Sequence, residues 1–113
     1  MEKYKRLLES IRDELNEIYH RDNDKDYYDF YDWIPENVKS LNYIVDADKR
    51  YVAVELCLSF GKQNGGANIF IETNTQELRL FSDDGYLSLD LPTDVCDKLD
   101  EIYWDFYNEP DEE

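Results

Sequence analysis

The 113-residue sequence predicts an α+β fold in a single domain, residues 1–113. The expected order is an N-terminal helix, an acidic-aromatic loop, a four- to five-stranded antiparallel meander and a C-terminal acidic amphipathic helix. Three observations carry that expectation. Apolar residues recur at a helical period near both ends of the chain. Between Leu41 and Leu91 the period drops to two, and clusters of turn-forming residues cut that middle stretch into short runs. A chain of this length buries roughly 65% of the surface it exposes when unfolded, enough to fold without disulfide or metal staples.

Residues 2–20 form the first helix in this reading. Tyr4, Leu7, Leu8, Ile11, Leu15 and Ile18 repeat at i, i+3 or i+4, and the remaining faces mix Lys, Arg, Glu and Asp. His20, the single histidine, falls at its end, where a cation suits the helix dipole. The pattern then breaks. From 21 to 40, Asp22, Asp24, Asp26, Asp29 and Asp32 interleave with Tyr27, Tyr28, Phe30, Tyr31 and Trp33. Asp22-x-Asp24-x-Asp26 imitates the start of a calcium loop. That loop needs Gly at its sixth position and Glu at its twelfth, where this chain has Tyr27 and Trp33. Two readings remain: a loop fastened to the core by its rings, or an exposed Tyr/Asp surface of the kind that anchors interfaces.

The period of two begins with Leu41, Tyr43 and Val45. It continues through Val52, Val54, Leu56, Leu58 and Phe60, then Ile69 and Ile71, Leu78 and Leu80, and Leu87, Leu89 and Leu91. Turn signals separate the runs at 46–49, 61–66, 73–76 and 83–85. Connections this short join antiparallel neighbours. One face of the sheet is expected to lie under the two helices and the other to be partly wet, carrying Glu55, Ser59, Glu72, Arg79, Ser88 and Asp90. The last helix spans Thr93 to Asn108, with Thr93 as its candidate N-cap and prolines at 92 and 110 marking its limits. Val95, Leu99, Ile102 and Phe106 share one face with Tyr103 at its edge, while Asp94, Asp97, Glu101, Asp105 and Asn108 form a second stripe.

The charge narrows the function classes. The formal net charge is −16, from 28 acids against 12 Lys and Arg. Residues 81–113 hold twelve acids against Lys98 alone, a net −11. Solubility of a small domain asks for a net charge of only about 2–8 in magnitude, and a larger one costs stability through self-repulsion. Direct binding to nucleic acid or to an anionic membrane is disfavoured, because phosphate contacts require Lys and Arg. The glycine-rich segment 61–67 lacks the Gly-Lys-Ser/Thr that cradles phosphates and reads as a hairpin loop. One histidine without a neighbouring nucleophile motif offers no catalytic arrangement. Cys57 and Cys96 stand in no metal-ligand spacing and read as packing residues. No cofactor, metal or enzymatic activity is expected. The charged amphipathic start and the absence of a run of about 18 apolar residues lead to the expectation of a cytoplasmic protein without a membrane segment.

What remains is a protein partner with a basic surface. A rigid body carrying carboxylates at intervals of about 5–6 Å can occupy a groove built for phosphates and exclude the nucleic acid. The candidate partner-binding residues are Asp94, Asp97, Glu101 and Asp105 on the last helix; Asp22, Asp24, Asp26, Asp29, Asp32, Tyr28, Tyr31 and Trp33 in the acidic-aromatic segment; and Asp83 and Asp84 in a turn. In size, acidity and lack of a catalytic motif the chain resembles the small phage-encoded inhibitors of bacterial defence, the DNA-mimic anti-CRISPR and anti-restriction proteins. That resemblance implies a stoichiometric inhibitor, monomeric or a small homo-oligomer, acting in the cytoplasm of a bacterial host on a Cas effector or restriction enzyme. Two alternatives stand beside it: an immunity protein neutralising a basic nuclease toxin, and a small ligand-binding or regulatory α+β domain with incidental acidity and a deep apolar pocket.

Overall fold

The computed structural model describes residues 2–21 and 29–109. Helix α1 runs Glu2–His20, α2 Phe30–Asn37 and α3 Thr93–Asn108. Between α2 and α3 come β1 (Val38–Val45), β2 (Tyr51–Leu58), β3 (Asn68–Glu72), β4 (Glu77–Ser82) and β5 (Gly85–Asp90). The strands pair antiparallel in the order β1-β2-β3-β4-β5, so each lies beside its neighbour in sequence. This is the expected meander between two amphipathic helices.

Alternation decides which face is buried. Val54, Leu56 and Leu58, Ile69 and Ile71, and Leu78 and Leu80 point to one side and lose all or nearly all contact with solvent. The buried stripe of α1 (Tyr4, Leu8, Ile11, Leu15, Ile18) and that of α3 (Val95, Leu99, Ile102, Tyr103) close over them as one core. Each such aliphatic side chain contributes about 1.5–3 kcal/mol on burial. Phe106, expected on the same stripe, lies beyond the edge of the core and is exposed. The other face of the sheet carries no helix and presents Glu55, Glu72, Arg79, Ser88 and Asp90, as alternation required.

Three local departures have physical causes. What reads as loop from the sequence is, from Phe30 onward, a two-turn helix started by a capping box. The Asp29 carboxylate accepts from the Asp32 N–H (3.1 Å) and the Asp32 carboxylate accepts from the Asp29 N–H (3.2 Å). Its apolar side, Phe30 and Trp33, enters the core. The register slips by one residue near Val52, so Tyr51 joins the helix side although Val54 does too. Thr93 does not cap α3: the helix starts after Pro92 without a side-chain cap, and the Thr93 hydroxyl donates instead to Gln76 (3.0 Å).

Helix α3 crosses the end of the sheet where the β1–β2 and β3–β4 turns lie. It is tied there at successive points. Thr93 meets Gln76, Asp100 meets Tyr51 and Thr73, and the Tyr107 hydroxyl donates to the Lys49 carbonyl (2.5 Å). Helix α1 is fastened at the opposite end, where the Tyr4 hydroxyl donates to the Gly65 carbonyl (3.0 Å). No described helix is long and apolar enough to cross a membrane.

Candidate functional site

The same periodicity that drives Val95, Leu99 and Ile102 into the core turns another face of α3 outward. Asp94, Asp97, Glu101 and Asp105 are all exposed along it, with about 4.5–6 Å of rise between successive members and about 16 Å from first to last. Lys98 lies beside the stripe and pairs with Glu101 (3.4 Å). Asp94, Asp97 and Asp105 make no ion pair among the described residues. Tyr19, from the last turn of α1, joins Asp94, Asp97, Lys98 and Glu101 around a hollow of about 290 Å³.

Trp104 completes this surface and was missed from sequence. It stands three residues after Glu101 and seven after Asp97, so it lies on the acidic stripe, and 53% of it is exposed. Its backbone carbonyl accepts from the Asn108 side chain (2.9 Å), which holds the last turn beneath it. A large exposed indole flanked by carboxylates offers both apolar contact area and charge to a partner. The signal was present in the sequence as the only tryptophan on a polar helix face.

Not every acid of α3 belongs to this surface. Asp100 points back to the sheet, where one oxygen accepts from the hydroxyls of Tyr51 (2.6 Å) and Thr73 (2.7 Å). Thr73 is itself buried and its oxygen accepts from the Val54 N–H (3.0 Å). Burial, then the hydrogen bond to the Asp100 carboxylate, raises the Tyr51 hydroxyl well above the ordinary tyrosine range. Tyr43 and Tyr103, packed beside it with Tyr107, are raised by burial too. The Cys96 thiol is pushed up to about 12, by burial first and then by Asp100 and Asp97. It stays protonated and inert, the packing role expected for it.

The remaining candidates do not gather here. Asp22, Asp24, Asp26 and Tyr28 lie outside the described residues. Asp29 and Asp32 form the capping box of α2, a structural duty. Trp33 is fully buried, its ring N–H donating to Glu14 (3.3 Å), so it has no surface to offer a partner. Tyr31 is 55% exposed but stands on α2, which packs against β1. Asp83 and Asp84 form the β4–β5 turn, at the end of the strands away from α3, where the Asp84 N–H donates to the Ser82 hydroxyl (3.2 Å). No group of three or more His, Cys, Asp or Glu among the described residues has the geometry to hold a metal ion. Comparisons with protein-family models, with curated proteins and with solved structures found no match.

Proposed function

We propose that the protein is a stoichiometric inhibitor that lays the outer face of α3 on the nucleic-acid-binding surface of a basic nuclease or CRISPR effector. One observation carries this reading: the exposed row of Asp94, Asp97, Glu101 and Asp105 with Trp104 standing among its members. The carboxylates take the place of phosphates at a Lys/Arg-lined groove and steer association. Trp104 takes the place of a stacked base and supplies the part of the affinity that salt does not screen. The anchoring of α3 at Gln76, Thr73, Tyr51 and Lys49 supports the reading further, because a preformed rigid row loses little conformational entropy on binding. The hollows along α1, α2 and the β2–β3 loop are lined by Glu9, Asp13, Glu14, Glu17 and Glu36, which gives little support to an apolar ligand pocket.

The test is retention of partners from host lysate on the immobilised protein, with and without excess duplex DNA, followed by cleavage assays on the retained nuclease. Displacement by DNA and one-to-one inhibition are the expected result. Reversing Asp97, Glu101 and Asp105 together to Lys should abolish inhibition, and Trp104→Ala should weaken it at least tenfold, the circular dichroism spectrum being unchanged in both. Full inhibition by the triple variant refutes the assignment. A retained toxin nuclease blocked at its catalytic cleft would turn the reading to an immunity protein.

A further inference from the structure

The helix-free face of the sheet is ordered in rows that run across the strands, as the register sets them. One row reads Asn42, Glu55, Glu72, Glu77, Asp90 from β1 to β5. The next reads Ser40, Cys57, Phe70, Arg79, Ser88, and the third sets Asn68, Phe81 and Tyr86 in line. Phe81 and Tyr86 are 43% and 51% exposed with ring centroids 4.9 Å apart, and Phe70 meets Phe81 at 5.9 Å. Exposed rings in contact with one another on an uncovered sheet face mark a binding surface more than a solvent one.

The acidic row is costly to the isolated fold. Glu55–Glu72, Glu72–Glu77 and Glu77–Asp90 are like-charge pairs directly opposite one another, an arrangement that destabilises a sheet. Arg79 answers part of it, pairing with Glu72 (3.1 Å) and Glu77 (3.0 Å). Glu55 and Asp90, at the two ends of the row, make no ion pair among the described residues.

We infer that this face docks a partner helix bearing a basic stripe beside an apolar one, laid across the strands. Spacing selects the helix. Neighbouring strands lie about 4.8 Å apart, so three intervals from Glu55 to Asp90 cover about 14 Å. Three turns of helix cover about 16 Å, whereas three same-side steps of an extended strand cover about 20 Å and fall out of step. Basic side chains at the two ends of this span meet Glu55 and Asp90, those between them share Glu72 and Glu77 with Arg79, and the apolar side of the helix meets Phe70, Phe81 and Tyr86. Charge excludes the other occupants: a second copy of this chain, nucleic acid and an anionic lipid surface all carry the same sign as the face. The surface is separate from the outer stripe of α3, and the inference stands whether or not that stripe has the role proposed for it.

The probe is a stapled helical peptide of about 18 residues, with Arg at successive turns on one side and Leu beside them, titrated into the isotopically labelled protein and followed by amide chemical shifts. Shifts are expected at the amides of Glu55, Glu72, Arg79, Tyr86 and Ser88, with those of α3 unmoved. Phe81→Ser combined with Tyr86→Ser should weaken binding at least tenfold, and so should a peptide of the same composition with its Arg residues distributed around the helix. The triple reversal on α3 should leave this binding intact, which separates the two surfaces. The inference is overturned by equal binding of the redistributed peptide, by shifts confined to α3, or by no shifts at millimolar peptide.

Discussion

Replacing Asp100 by alanine removes the acceptor that ties α3 to the sheet. Two hydroxyls lose their partner: that of Tyr51, half-buried at 2.6 Å, and that of buried Thr73 at 2.7 Å. Hydrogen bonds to a charged acceptor contribute about 1.5–3 kcal/mol each. The lower end applies, because Asp100 is itself only half-buried and the Thr73 hydroxyl can turn to the Val54 carbonyl at 3.4 Å. The expected loss is therefore about 2–3 kcal/mol, a fall in Tm of about 8–12 °C for a domain of this size. Urea unfolding followed by far-ultraviolet circular dichroism, fitted with a common slope, measures it. Asp100→Asn keeps a neutral acceptor in place and should lose about half as much. A double-mutant cycle with Tyr51→Phe should show a coupling of at least about 0.5 kcal/mol. A stability within about 0.5 kcal/mol of wild type for Asp100→Ala, or strict additivity in the cycle, would refute the view that this contact anchors the helix.

Two further outcomes follow from the same region. The hydroxyls of Tyr43, Tyr51 and Tyr103 and the Cys96 thiol are all raised in the folded state, so the unfolded chain releases protons that the native one keeps. These groups leave stability level at neutral pH and lower it above about pH 9, most through the fully buried Cys96 and Tyr103 and less through the half-exposed Tyr43 and Tyr51. Urea midpoints measured from about pH 8 to 11 check it, and an unchanged midpoint would contradict the burial of these groups. The Tyr103 hydroxyl is buried and has no hydrogen-bond partner among the described residues. Tyr103→Phe should accordingly leave stability unchanged or raise it by about 1 kcal/mol, and a loss of more than that would reveal a partner.

The helices and the meander were legible because each rests on a pattern within a single element. Leu8, Ile11, Leu15 and Ile18 repeat at helical spacing, and Leu78 and Leu80 alternate as a strand must. Helix α2 was hidden by its length. Phe30, Trp33 and Ile34 stand at helical spacing, but two turns give no repeat, and Pro35 inside the helix argued against it. The acidic stripe of α3 is legible as a stripe, whereas Trp104 is masked in the sequence because it sits among Ile102, Tyr103 and Phe106, which read as core positions. The rows on the open sheet face were out of reach for a different reason. Each strand contributes one or two of their residues, and only the pairing of Glu55 with Glu72 and of Glu77 with Asp90 gathers them. Information of that kind resides in the register, which tertiary burial sets.

The order of the strands bears on how the chain reaches this structure during synthesis. Every strand pairs with its predecessor, so the sheet can zip hairpin by hairpin as it leaves the ribosome, each closure being local. Helix α1 has the opposite situation. Made first, it packs against β4, β5 and α3, the last elements to appear. Its stripe of Leu8, Ile11, Leu15 and Ile18 therefore waits uncovered while most of the chain is translated, and nascent chains stopped before α3 should present that stripe to chaperones.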